Sequence, residues 1–182
     1  MIEPIETIYN NLRFRSRLEA KWAVFYDHLG IKYEYEPEGY KLGNIWYLPD
    51  FWIINLKVFI EIKGILDNEA IIKASKLSSK YDCKVYIFKS IPNPDDQYFD
   101  FINSGAIAFF PNGDSDCYYH WCECLECGNL GISFSGRAER IIHKTGCPKA
   151  KSNKYYGYQT INLNNAYREA RMARFEHGAN NV

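Results

Sequence analysis

From Arg17 to Leu29 the apolar positions Leu18, Trp22, Phe25 and Leu29 recur at spacings of four, three and four, which collects them on one face of an α-helix. Gly30 supplies a stop, and Ser16 with Glu19 three residues on has the form of a capping box. Lys32–Glu36 is a tyrosine-rich strand candidate, and after a glycine-punctuated connection the apolar run Trp46–Ile54 reads as a buried strand. From Lys57 to Lys63 the period changes to two: Val58, Ile60 and Ile62 point one way, while Lys57, Phe59, Glu61 and Lys63 point the other. Asp67 or Asn68 caps a second helix reaching Tyr81, with Ile71, Ala74, Leu77 and Tyr81 inward and Lys73, Lys76 and Lys80 together on a neighbouring face. Lys84–Phe88 and Ala106–Phe110 are two further strands, separated by the turn-rich Pro92–Asp96. This order predicts an α/β layer, a mixed sheet flanked by helices.

Composition changes after Pro111. Residues 112–118 read as loop, a cysteine cluster follows in a module of about 120–155, and Asn165–His177 is a short helix stopped by Gly178. The expected division is a core of residues 1–111 and a second unit of residues 112–182.

The apolar fraction of 47% and the 182-residue length suit a globular chain and exclude a disordered or fibrous one. No apolar run approaches the roughly 18 residues that span a bilayer. Glu3, Pro4 and Glu6 stand where a secretory signal needs basic and then apolar residues, so the expectation is a cytoplasmic protein with no membrane partner. Lys plus Arg equals Asp plus Glu at 22 each, so any argument for a polyanionic partner must be local. The six cysteines, in a chain without a secretory signal, read as metal ligands or buried thiols rather than disulfides.

The most informative stretch is Pro49-Asp50 followed by Glu61-Ile62-Lys63. A hairpin centred on Asn55-Leu56 pairs residues whose numbers sum to 111, which sets Asp50 directly opposite Glu61. Opposed residues have Cβ atoms about 5 Å apart on one sheet face, where two carboxylates repel unless a cation neutralises them. One or two carboxylates with retained water are what Mg²⁺ prefers. Lys63, two residues beyond Glu61, shares that face and brings an ammonium to the same place. Such a set points to phosphodiester hydrolysis by a metal-activated water, with the lysine orienting the nucleophile or neutralising charge.

Pro49-Asp50 and Glu61-Ile62-Lys63, with the order of elements across residues 13–90, resemble the PD-(D/E)XK nuclease superfamily. The surrounding words, Phe14-Arg15-Ser16-Arg17-Leu18-Glu19-Ala20 and Tyr47-Leu48-Pro49-Asp50-Phe51-Trp52, are similar to phage and bacterial members with a carboxylate on the leading helix. The resemblance implies a restriction-endonuclease-like core in which Asp50 and Glu61 bind Mg²⁺, with Mn²⁺ able to substitute. It also implies that Lys63 is catalytic and that Glu19 completes the site. Glu19 has an ordinary job at the helix start as well, where Arg15 is a second potential partner.

Cys124-Leu125-Glu126-Cys127-Gly128 and His143-Lys144-Thr145-Gly146-Cys147 form the pattern C-x2-C-x15-H-x3-C, a zinc-site spacing. Four ligands close a tetrahedron, so this small zinc-ribbon-like module holds a structural Zn²⁺. Cys122 is a rival ligand that would leave His143 free, and an iron–sulfur cluster is a third arrangement; Cys83 and Cys117 read as free thiols.

Between Arg137 and Arg174 nine basic residues (Arg137, Arg140, Lys144, Lys149, Lys151, Lys154, Arg168, Arg171 and Arg174) face only Glu139 and Glu169, interleaved with Tyr155, Tyr156 and Tyr158. This local excess, with Lys73 and Lys76, is suited to phosphate contacts, and the tyrosines to stacking on unpaired bases. The expected function is a Mg²⁺-dependent endodeoxyribonuclease acting on duplex DNA in a bacterial or phage-infected cell. A dimer suits cleavage of both strands. The alternatives are a catalytically inactive DNA-binding module and an RNA-directed nuclease.

Overall fold

The computed structural model describes residues 4–96, 104–134, 147 and 156–175. The elements run β1 (Thr7–Tyr9), β2 (Leu12–Phe14), α1 (Arg17–His28), β3 (Tyr33–Tyr35), β4 (Tyr40–Leu42), β5 (Ile45–Tyr47), β6 (Phe51–Ile53), β7 (Val58–Ile62), α2 (Asn68–Tyr81), β8 (Lys84–Phe88), β9 (Ala106–Phe109), β10 (Ser115–Cys124), β11 (Leu130–Phe134), β12 (Tyr156–Gly157) and α3 (Ile161–Met172). The protein is α/β: among the described residues one mixed sheet has the order β11-β10-β9-β8-β7-β6-β3, with β12 paired to β10. Its one parallel ladder joins β7 to β8 across α2, and the other pairings are antiparallel.

Period-two alternation separates two cores. Phe51, Ile53, Val58, Ile60, Tyr86 and Phe88 face α1 and α3, while Phe59, Val85, Ile87 and Phe109 face α2 and the β4–β5 hairpin. On the first side Trp22 and Phe25 are fully buried, and Phe25 stacks on Tyr167 of α3 with ring centroids 4.7 Å apart. No helix among the described residues is long and apolar enough to cross a membrane.

Several expectations give way to tertiary structure. Trp46–Ile54 is two strands in two sheets, because Pro49 has no N–H for a ladder and the chain turns at Leu48-Pro49-Asp50, leaving Trp46 70% exposed. On α2 the buried stripe is Ala70, Ala74, Leu77 and Ser78, one step from the expected face, so Tyr81 is exposed. Ser78 tolerates burial because its hydroxyl reaches the carbonyls of Cys83 (2.6 Å) and Phe109 (3.0 Å).

The expected loop 112–118 is already strand from Ser115, with a bulge between Asp116 and Tyr119 that sets Tyr118 at φ 71°. The chain therefore stays in the sheet after Pro111. β10 lies between β9 and β11, and Trp121, Ile132, Leu163 and Tyr167 share the α1-side core. Helix α3 begins at Ile161, capped by the Thr160 hydroxyl accepting from Leu163 N–H (3.2 Å), and ends at Met172 rather than running from Asn165 to His177.

Candidate active site and metal centre

The β6–β7 register is Phe51↔Ile60, Trp52↔Phe59 and Ile53↔Val58, every pair summing to 111 as the hairpin argument requires. Lys57 closes the turn in the left-handed region at φ 54°, its N–H donating to Ile53 C=O (2.8 Å). Two steps past the last pair, β6 has not yet begun. Pro49 would face Ile62 there, and Asp50 supplies the missing acceptor with its side chain: Ile62 N–H donates to Asp50 Oδ2 at 2.6 Å. Asp50 Oδ1 accepts from Arg15 Nη2, also at 2.6 Å.

Glu61, on the α2-facing side of β7, accepts the Tyr47 phenol on Oε2 (2.6 Å) and pairs through Oε1 with Lys63 Nζ (2.5 Å). Glu19 joins from the first turn of α1. Its Oε1 accepts the Ser16 hydroxyl (2.7 Å), and its Oε2 accepts the Tyr35 phenol (2.6 Å) and the Arg15 N–H (3.1 Å), while Ser16 Oγ accepts from Glu19 N–H. Ser16 therefore caps α1 as expected, but Glu19 reaches back to the Arg15 N–H and the Ser16 hydroxyl, which sets its carboxylate beside Asp50.

Three carboxylates are thus buried at one end of the sheet: Asp50 is 1%, Glu61 3% and Glu19 6% exposed. Burial, then the negative charges of Glu61 and Glu19, pushes the Asp50 carboxyl well above its usual range, against the opposite pull of Lys63 and the Ile62 N–H. Burial alone would lower Lys63, but Glu61 and Asp50 outweigh it and hold the ammonium protonated above its ordinary value. Burial and Glu61 likewise raise Tyr47, which keeps it a donor.

The cation Arg15 was legible in the sequence only as a partner for Glu19, yet its guanidinium reaches Asp50 and, through Nε, Glu36 Oε1 at 2.5 Å. Tyr35, Glu36 and Tyr47 carried no signal of their own; strand periodicity placed Tyr35 and Glu36 in a strand without saying what they would meet.

Cys124 Sγ, Cys127 Sγ and Cys147 Sγ all lie within 4.8 Å of one another, with Cys124 and Cys147 at 4.0 Å, and this group could hold a metal ion such as zinc. The turn that folds them together is set by Gly128 at φ 70°, whose N–H donates to Cys124 C=O (2.8 Å), and by Cys124 N–H donating to Asn129 C=O (2.9 Å). Cys122 is not in the group: its thiol donates to Gly131 C=O (3.4 Å), and burial pushes its pKa far up. His143 lies outside the described residues. Among the described residues Glu19, Asp50 and Glu61 do not close into a comparable group of three.

Of the residues expected to meet nucleic acid, Arg137 and Arg140 lie outside the described residues. Lys76 is exposed, and Lys73 pairs with Glu69 one turn back on α2 (2.5 Å). Arg168 forks onto Asp95 (2.7 and 3.0 Å), and Arg171 donates to Ile91 C=O (3.1 Å), so both tie α3 to the segment after β8. Comparison with protein-family models, curated proteins and solved structures returns no significant match.

Proposed function

We propose that this chain is a Mg²⁺-dependent endodeoxyribonuclease of the PD-(D/E)XK superfamily, and the observation that carries the reading is the convergence of Asp50, Glu61 and Lys63 at the end of one hairpin. Two carboxylates and an ammonium at the mouth of an otherwise apolar sheet contribute little to stability. Like charges buried together disfavour the fold unless a cation offsets them. Hydrogen bonds leave each carboxylate oxygen of Asp50 and Glu61 a further lone pair, and two hard donors suit Mg²⁺, or Mn²⁺ in its place. Bound there, Mg²⁺ supplies Lewis acidity and a water of lowered pKa.

The chain's own groups do the rest. Tyr47 fixes one oxygen of Glu61, and the Ile62 N–H and Arg15 fix both oxygens of Asp50, so neither carboxylate must reorganise when substrate arrives. Lys63, held protonated against Glu61, orients the attacking water and offsets charge developing on the phosphate. Glu19 adds negative charge beside Asp50 and holds the start of α1 in place. At the far end of β10 the thiolates of Cys124, Cys127 and Cys147 would hold a structural Zn²⁺ with His143 as fourth ligand, stiffening the strand that precedes the basic segment.

The test is cleavage of supercoiled plasmid, linear duplex, single-stranded DNA and RNA in Mg²⁺, Mn²⁺ or EDTA, beside Glu61→Ala. Metal-dependent cutting of duplex DNA that Glu61→Ala abolishes is the expected result. Full cleavage by Glu61→Ala refutes the assignment, preference for RNA replaces the substrate, and metal-independent DNA retention without cutting leaves a binding module.

A further inference from the structure

Arg15 is the group at this site whose role the carboxylate chemistry leaves unassigned. Its backbone is pinned, the N–H donating to Glu19 Oε2 (3.1 Å) with the Tyr35 hydroxyl 2.9 Å away, and its side chain is pinned again by Asp50 (2.6 Å) and Glu36 (2.5 Å). A guanidinium presents five N–H donors in a rigid fork. Nη2 is hydrogen-bonded to Asp50, Nε is ion-paired with Glu36 and the Tyr35 phenol also bonds the guanidinium, yet the side chain is 49% exposed, so part of the fork still faces solvent.

A counter-ion for Asp50 alone needs neither the fork nor the exposure, since an ammonium would serve. Anchored on two sides and open on the third, the group is preorganised to take an oxyanion beside Asp50. Resting on the nuclease reading, we infer that the solvent-facing side of the Arg15 guanidinium contacts a phosphate of the bound strand next to the scissile bond, with Asp50 and Glu36 acting as its mount.

Removing Arg15 alone strands the buried Asp50 charge and confuses binding with folding. The comparison is therefore made in an Asp50→Asn background, where that charge is gone. Affinity for a fluorescein-labelled linear duplex is measured by anisotropy in EDTA across about 50 to 200 mM salt, for Asp50→Asn and for Asp50→Asn/Arg15→Gln, with melting temperature as the folding control.

The expected result is a loss of about tenfold in affinity, uniform across duplex sequences, and a salt slope smaller by about 0.9, the signature of one lost phosphate contact, at an unchanged melting temperature. Arg15→Lys in the same background should keep the slope and recover part of the affinity. If the double variant binds as Asp50→Asn does, Arg15 is only a counter-ion and the inference is overturned while the nuclease reading stands. If Asp50→Asn shows no salt-dependent duplex binding, Arg15 has no phosphate to contact and the inference is overturned, while the cleavage assay decides the nuclease reading separately.

Discussion

Tyr47→Phe removes one oxygen and nothing else. The ring stays in the α2-side core, where Tyr47 is 5% exposed, but the phenol that donates to Glu61 Oε2 at 2.6 Å is gone. Both ends of that bond are buried and the acceptor carries a charge, which places its worth at about 1.5–3 kcal/mol, above a neutral hydrogen bond. Lys63 still satisfies Oε1, so the loss stays near the middle of that range, about 2 kcal/mol. In a chain of this length each kcal/mol moves the melting temperature by about 2–4 °C, so a fall of roughly 4–8 °C is expected. Urea unfolding followed by far-ultraviolet circular dichroism gives the free energy directly, with an unchanged m-value as the sign that only the native state was touched. A double-mutant cycle with Glu61→Gln should return a coupling of about 1 kcal/mol. A change below about 0.5 kcal/mol with no coupling would refute the claim that Tyr47 holds Glu61 in place, because a surface substitution does as little.

Metal analysis of the purified protein should find zinc, lost in Cys127→Ser together with a lower melting temperature and retained in Cys122→Ala, since Cys122 stands outside the thiol group. Asp67→Ala should cost about 1 kcal/mol in urea unfolding, because Asp67 Oδ1 accepts from Ala70 N–H at 2.7 Å as the N-cap of α2. Gly157→Ala should destabilise by about 1–3 kcal/mol in the same assay. A Cβ there would lie 2.7 Å from Thr160 Cγ2 and 3.2 Å from Leu125 Cδ2, and Thr160 cannot swing away without giving up its cap on α3 and its bond to Glu123. Wild-type stability in that variant would show that the corner yields freely.

Local signals carried the site further than the fold. Turn position and strand period alone gave the β6–β7 register, although the ladder stops at Phe51 and Ile60, one step short of Asp50 and Glu61, and the short-range chemistry of Ser16, Glu19 and Asp67 gave the starts of α1 and α2. Features decided by distant partners were silent. The β1–β2 hairpin turns on Asn10-Asn11, both in the left-handed region (φ 49° and 63°), and its three-residue strands are too short to show a period. Trp46–Ile54 looked continuous because apolar content does not reveal which sheet a residue joins. Arg15 was overlooked as a partner of Asp50 because they are 35 positions apart, and no spacing rule reaches that far. The cysteine spacing foretold a thiol cluster but not that the strand leading into it would be woven between β9 and β11.

That weaving bears on the order in which the carboxylate cluster and its backing are synthesised. Every residue of the carboxylate site has been made once Lys63 is added, but the face that backs β6 and β7 is finished by Trp121, Ile132, Leu163, Ala166 and Tyr167. Until α3 emerges from the ribosome, Phe25 lacks its stacking partner and α1, which presents Glu19 beside Asp50, lacks the helix that packs along it. The carboxylate cluster is thus encoded in the first third of the chain, while part of the core that backs it is encoded in the last.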